Sequence, residues 1–216
     1  MPSHITHGLS ARLAAERAGL FVNHPSWFLL GSQGPDLFLH NQRTRPGALL
    51  WGRSLHHRGF GDFVCAMEKH ISSWDSREGN YVLGFMTHGI LDRITHPYIH
   101  AGSAGRVRNL HAFFERLIDV ELSLRLEGRH PHDYSFLQEV TLGESAPESL
   151  VHLLARGAEQ RFPSDRKEQR IQHAYQDTMG LLKFSDRWDD KVLNYIKRSS
   201  APREADLPAA SPAGSR

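Results

Sequence analysis

"THGILDRITHPYIH", residues 87–100, holds three histidines and one aspartate in fourteen positions, and its reading decides the fold. His88 and His96 stand four residues either side of Asp92. Each residue turns an α-helix by about 100°, so i, i+4 and i+8 drift by only about 40° per step. His88, Asp92 and His96 then share one narrow arc, while Leu83, Met86, Ile90 and Ile94 fall roughly opposite. An apolar stripe implies a solvated face on the other side of the helix. Here that other face carries imidazole and carboxylate instead of lysine and glutamate. A single histidine reads as a buried, hydrogen-bonded side chain; three metal-type donors facing one way read as a metal site.

Gly84 and Gly89 flank the arc, and each costs about 1 kcal/mol relative to alanine in a helix interior. Close approach by another helix is the expected compensation. Pro97 disfavours helical geometry at His96 and lacks a donor, so the helix is expected to kink or end there. That would swing His96 away from His88 and toward a different ion.

Outward from this helix, the periodicity predicts further helices at roughly 7–19, 60–75, 109–127, 147–161 and 165–199, the last interrupted near Ser185, around a central one at roughly 80–96. Strand alternation is absent. Residues 31–58, with "GSQGPD" and "RTRPG", read as a long irregular segment. The stretch "SSAPREADLPAASPAGSR" is small, polar and proline-rich. One all-α, multi-helix domain over 1–198 with a disordered tail at 199–216 is therefore expected.

Composition narrows the chemistry. With 216 residues, 39% hydrophobic and 23% charged, the chain can bury a sizeable core. A net charge of +2 gives no general nucleic-acid signal, so no stable nucleic-acid partner is expected. The fifteen histidines are the anomaly, and eleven fall within the first 111 residues. Cys65 stands alone, which excludes a disulfide framework and a cysteine-rich zinc site; histidine and carboxylate must hold any metal. No signal peptide or transmembrane segment is read, and a cytoplasmic location is expected.

Other donors lie nearby in the sequence. In "HAFFERLID" (111–119), His111 and Glu115 are i, i+4 and can reach one ion, with Asp119 one turn on as a carboxylate able to orient His111. Asp36 follows a Gly-Pro turn in "GSQGPDLFLHN", "GRSLHHRG" offers His56 and His57, and "SHITH" offers His4 and His7.

This order of motifs ("GPDLF", then "LHH", "GFMTHGILDRITHP" and "HAFFERLID", after an early histidine) resembles the zinc-dependent phospholipase C family over roughly residues 1–125. That family is related to the S1/P1-type nucleases, and both are all-helical with three zinc ions. The resemblance implies one zinc on Asp36, His57, His88 and Asp92, and a second on His96, His111 and Glu115. Asp92 would bridge to a third ion that also takes His7. His56 stands as the alternative to His57, His100 to His96 and His4 to His7. Secreted members present an N-terminal tryptophan at the third site, whereas this chain begins Met-Pro; a weak or absent third ion is the expectation, hence two or three zinc ions. The implied activity is phosphodiester hydrolysis on a phosphoester or phospholipid substrate. Zinc activates water and clamps phosphoryl oxygens, and the resemblance makes Asp36 the carboxylate that orients or deprotonates the attacking water.

Arg43 and Arg45 are candidates for the substrate phosphate, with Arg53 and Arg58 near them. Trp27, Phe28, Phe38 and Trp51 read as core. Competing readings are an S1/P1-like nuclease or other intracellular phosphodiesterase, an HD-type phosphohydrolase at His132–Asp133, and a non-enzymatic helical module held by zinc.

Overall fold

The computed structural model describes the backbone of residues 4–103 and 110–200, and the side chains within it except those of 100, 102, 103, 110–113, 132 and 185–200. Among the described residues the chain is all-α, with no strand: α1 (His4–Arg17), α2 (Pro25–Gly31), α3 (Asp36–Leu39), α4 (Gly47–His57), α5 (Phe60–Glu68), α6 (Arg77–Ser103), α7 (Leu110–Glu127), α8 (Phe136–Val140), α9 (Glu148–Ala158) and α10 (Lys167–Ser200). From residue 201 on, the expected tail lies outside the described residues.

The packing centres on α2 and α6. A Cβ at Gly84 would sit 1.9 Å from the Phe28 carbonyl oxygen, and one at Gly31 would sit 2.1 Å from that of Tyr81. The two backbones touch where only glycine fits, which accounts for Gly84 in the middle of a helix. Around this contact Phe28, Leu30, Tyr81, Val82 and Phe85 form the core, extended by Phe63, Leu150 and Leu154 from α5 and α9. Trp27, Phe38 and Trp51 are buried as expected. No helix among the described residues is long and apolar enough to cross a membrane.

Three expectations are corrected. Residues 31–58 are largely helical rather than irregular, because α3 and α4 are held by burial of Leu37, Phe38, Ala48, Trp51 and Leu55, which overrides the weak local propensity left by Gly47 and Gly52. Helix α6 continues through Pro97 to Ser103. His96 and Ile99, on either side of that proline, line one small cavity with Glu115 and Ile118 of α7, so packing between the helices carries α6 past the missing hydrogen bond. Helix α10 is unbroken at Ser185. The burial of α6 is also inverted: His88 is inside, while Met86, Ile90 and Ile94 are exposed.

Candidate metal centre

Five helices (α1, α3, α4, α6 and α7) deliver side chains to one point. Asp92, projecting from the inner face of α6, stands at its centre. Its Oδ2 lies 3.2 Å from His88 Nε2 and 3.4 Å from His56 Nε2; its Oδ1 lies 3.4 Å from both His7 Nε2 and His96 Nε2. Asp36, at the start of α3, places Oδ1 3.0 Å from His56 Nε2. Glu115, buried on α7, places Oε1 3.9 Å from His96 Nε2. His7, His88 and Asp92 form one group of atoms within 4.8 Å of each other, and Asp36, His56 and His88 form another.

His96 and His88 thus meet different oxygens of Asp92, without a break in the helix. Eight residues rotate the ring by about 80°, and the two carboxylate oxygens take up the difference.

Backbone carbonyls set the tautomers. His88 Nδ1–H donates to the Ser32 carbonyl at 3.1 Å, and His56 Nδ1–H to the Gly52 carbonyl at 2.7 Å. A carbonyl only accepts, so each neutral ring turns a bare Nε2 lone pair inward. Those two lone pairs face one another at 3.4 Å, and both face carboxylate oxygens. Lone pairs crowded on carboxylates repel unless a cation lies between them. Imidazole nitrogens with carboxylate oxygens are the donor set zinc takes. The residues present fit zinc.

The electrostatics of the same groups agree. Burial opposes a charge on His56, yet its hydrogen bond to Asp36 and that carboxylate's charge push its pKa up to about 9: a proton takes the cation's place. Burial also opposes the Asp36 charge, but the His56 hydrogen bond and the surrounding imidazoles hold its pKa well below the usual range. Burial, with the neighbouring His88, lowers His7 to about 3, keeping it in the neutral form a ligand needs. Burial pushes Glu115 up to about 8, helped by the charges of Asp36, Asp119 and Asp92.

Two spaces adjoin the cluster. A cavity of about 40 Å³, lined by Thr6, His7, Asp92, Thr95, His96 and Glu115, lies on the Oδ1 side. A cleft of about 590 Å³, lined by His56, Phe60, His88, Asp92, Arg93 and Pro97 among others, opens on the Oδ2 side. The space on the Oδ1 side is small, and the one on the Oδ2 side is a wide cleft.

Several sequence-predicted residues are placed differently. His56, not His57, joins the cluster: one step along α4 rotates the side chain by about 100°, and His57 is exposed at the cleft. His7, not His4, reaches Asp92. His4 instead donates from Nδ1 to Gln33 Oε1 at 2.9 Å, and its buried ring lies edge-on to His40 with centroids 5.0 Å apart. Arg43 and Arg45 are engaged elsewhere: Arg43 pairs with Asp177 at 2.9 Å and with Gln176 at 2.7 Å, and Arg45 donates to the Asn41 carbonyl at 3.2 Å. The arginine that lines the cleft is Arg93. The side chains of His111 and His100 lie outside the described residues. So does that of His132; Asp133 is exposed and accepts the His130 N–H at 2.7 Å, the role of a turn residue.

Asp119 also has a role that spacing does not reveal. Its Oδ1 accepts from the Thr6 N–H at 2.8 Å and the Thr6 hydroxyl at 2.7 Å, and Arg116 donates to Oδ2 at 3.1 Å. This clasp ties the first turn of α1, and so His7, to α7. Gly34 makes a different kind of room: at φ +53°, a Cβ there would lie 2.4 Å from the His88 ring.

The family model for zinc dependent phospholipase C matches residues 1–196 of the chain. The chain belongs to the zinc-dependent phospholipase C family. No curated protein and no solved structure matches it. For a zinc-dependent phospholipase C, the donors around Asp92 are where zinc is to be sought, and the match extends well beyond the first 125 residues into α9 and α10.

Proposed function

We propose that this chain is a zinc-dependent phosphodiester hydrolase of phospholipase C type, in which Asp92 and the donors on either side of it would hold the ions. The observation that carries the reading is the position of Asp92 itself: it stands between two sets of imidazole nitrogens, and one side opens to a cleft. A purely structural zinc site would be closed.

Asp36, His56, His88 and Asp92 Oδ2 would hold the ion on the cleft side. His7, His96, Glu115 and Asp92 Oδ1 would hold ions on the inner side; the family resemblance adds His111 to this set. Zinc bound there supplies Lewis acidity for phosphoryl oxygens and for water. The chain's residues do the rest. Arg93, at the mouth, meets the phosphate charge and orients the diester. Asp36, the carboxylate beside His56, would orient or deprotonate the water that attacks phosphorus. The phosphorus–oxygen bond to the leaving alcohol breaks, giving a phosphomonoester and an alcohol. One arginine in a compact cleft suits a small or lipid phosphodiester better than a nucleic acid, which requires a longer basic track.

Turnover of a soluble phosphodiester by zinc-loaded protein tests the reading through two adjacent histidines. His56→Ala is expected to lower turnover by at least about a hundredfold, and His57→Ala by far less. Equal effects from both, or no zinc-dependent turnover in the parent chain, would contradict it.

A further inference from the structure

The outer face of α6 is apolar where a helix normally meets water. Met86, Ile90, Ile94 and Tyr98 follow one another at intervals of four residues and are 37%, 60%, 60% and 77% exposed. Twelve residues of helix make this ridge about 18 Å long. An exposed apolar run of this kind marks an interaction surface.

Its position gives the occupant. Arg93 and Pro97, the exposed α6 residues that line the cleft, lie beside Ile90 and Ile94 on the same helix, so the ridge borders the mouth of the candidate centre. From α4, the exposed His57 lines the same cleft. Apolar side chains and an arginine thus lie side by side at one opening. That pairing matches a surface with an apolar interior and an anionic phosphate layer. A second copy of the chain fits less well, because ridge-to-ridge contact would bring the two Arg93 side chains together and cover both clefts.

We propose that the α6 ridge of Met86, Ile90, Ile94 and Tyr98 docks on a phospholipid surface, so that the cleft opens onto the headgroup layer. The proposal rests on the hydrolase reading for what happens to the headgroup, but the binding can be measured separately. Seated this way, the ridge enters the boundary between headgroups and acyl chains, Arg93 faces phosphates, and a substrate reaches the cleft without leaving the bilayer.

The test is co-sedimentation of the zinc-loaded full chain with phosphatidylcholine vesicles containing phosphatidylserine. The parent is compared with the double variant Ile90→Glu/Ile94→Glu and with Leu124→Glu, an exposed position on α7. The ridge variant is expected to bind at least about tenfold more weakly, from the apolar area it no longer buries. Leu124→Glu is expected to bind as the parent does, and added salt to weaken the parent's binding. No vesicle binding by the parent, or equal binding by parent and ridge variant, overturns the proposal. So does a ridge variant that turns a dimer into a monomer with vesicle binding unchanged. Turnover of a soluble, short-chain phosphodiester is followed in parallel. Its absence in the parent sinks the hydrolase reading, while the sedimentation result still decides the docking.

Discussion

Helices α6 and α9 are both amphipathic, yet they are oriented by opposite forces. In α9, Leu150, Val151, Leu153 and Leu154 are buried and the polar residues face out, as apolar transfer dictates. In α6 the N-terminal turns behave the same way, burying Tyr81, Val82 and Phe85, but from His88 onward the inner face carries His88, Asp92 and His96 while Ile90 and Ile94 face out. A helix placed by the hydrophobic effect needs nothing else. A helix that turns imidazoles and a carboxylate inward needs a cation to make that burial favourable. The comparison predicts that the site end of α6 depends on a metal for its stability and that α9 does not.

Zinc removal should break the comparison most strongly. With free zinc at a thousand times its Kd, one site stabilises the fold by about 4 kcal/mol. Denaturation followed with and without chelator should show at least that loss. Next, Leu154→Ala in α9 should cost about 2–5 kcal/mol, by the same amount in zinc-loaded and zinc-free protein. A cost that depends on zinc would mean that the two halves are not independent. Asp119→Asn should cost about 1–3 kcal/mol, because the Thr6 N–H and hydroxyl lose a charged acceptor. As α1 loosens, His7 should contribute less, and zinc affinity on the Oδ1 side should fall by roughly tenfold or more; competition with a chromogenic chelator reads this. Ile90→Ser, on the outer face, should change stability by less than about 0.5 kcal/mol, which thermal unfolding checks.

The proton balance sharpens the same contrast. In the ion-free chain Glu115, at about 8, and His56, at about 9, both hold protons at pH 7. Each must lose its proton to serve as a ligand, so zinc uptake at pH 7 should release protons and zinc affinity should rise with pH. Calorimetry in buffers of differing ionisation enthalpy measures the release. Proton uptake, or none, would mean that these two groups are not ligands.

How much of this could be read in the sequence follows from the range of each interaction. The arc of His88, Asp92 and His96 is a property of one helix, and four-residue spacing was enough to show it. Gly84 was legible for a related reason, as a glycine mid-helix that asks for a close neighbour. His56 and His57 were not separable, because choosing between adjacent residues requires knowing that α4 exists and which side packs on α3. The carbonyls of Ser32 and Gly52, which fix the two ring tautomers, belong to the backbone and leave no trace in residue identity. The clasp from Asp119 to Thr6 spans 113 residues and carries no local signal. Arg43 and Arg45 were placed by nearness in sequence alone, and Asp177 and Gln176 on α10 hold Arg43 elsewhere. Pro97 was read by its local rule, which the packing of α6 against α7 overrides.

The central claim is that Asp92 bridges two sets of metal donors, and counting zinc tests it most directly. Zinc per chain is measured by mass spectrometry on protein purified without chelator, for the parent and for Asp92→Ala, with circular dichroism confirming that both are helical. The account predicts two or more zinc ions in the parent and fewer than one in the variant, because one residue serves both sides. A parent without stoichiometric zinc, or a variant that keeps the full count, would contradict it.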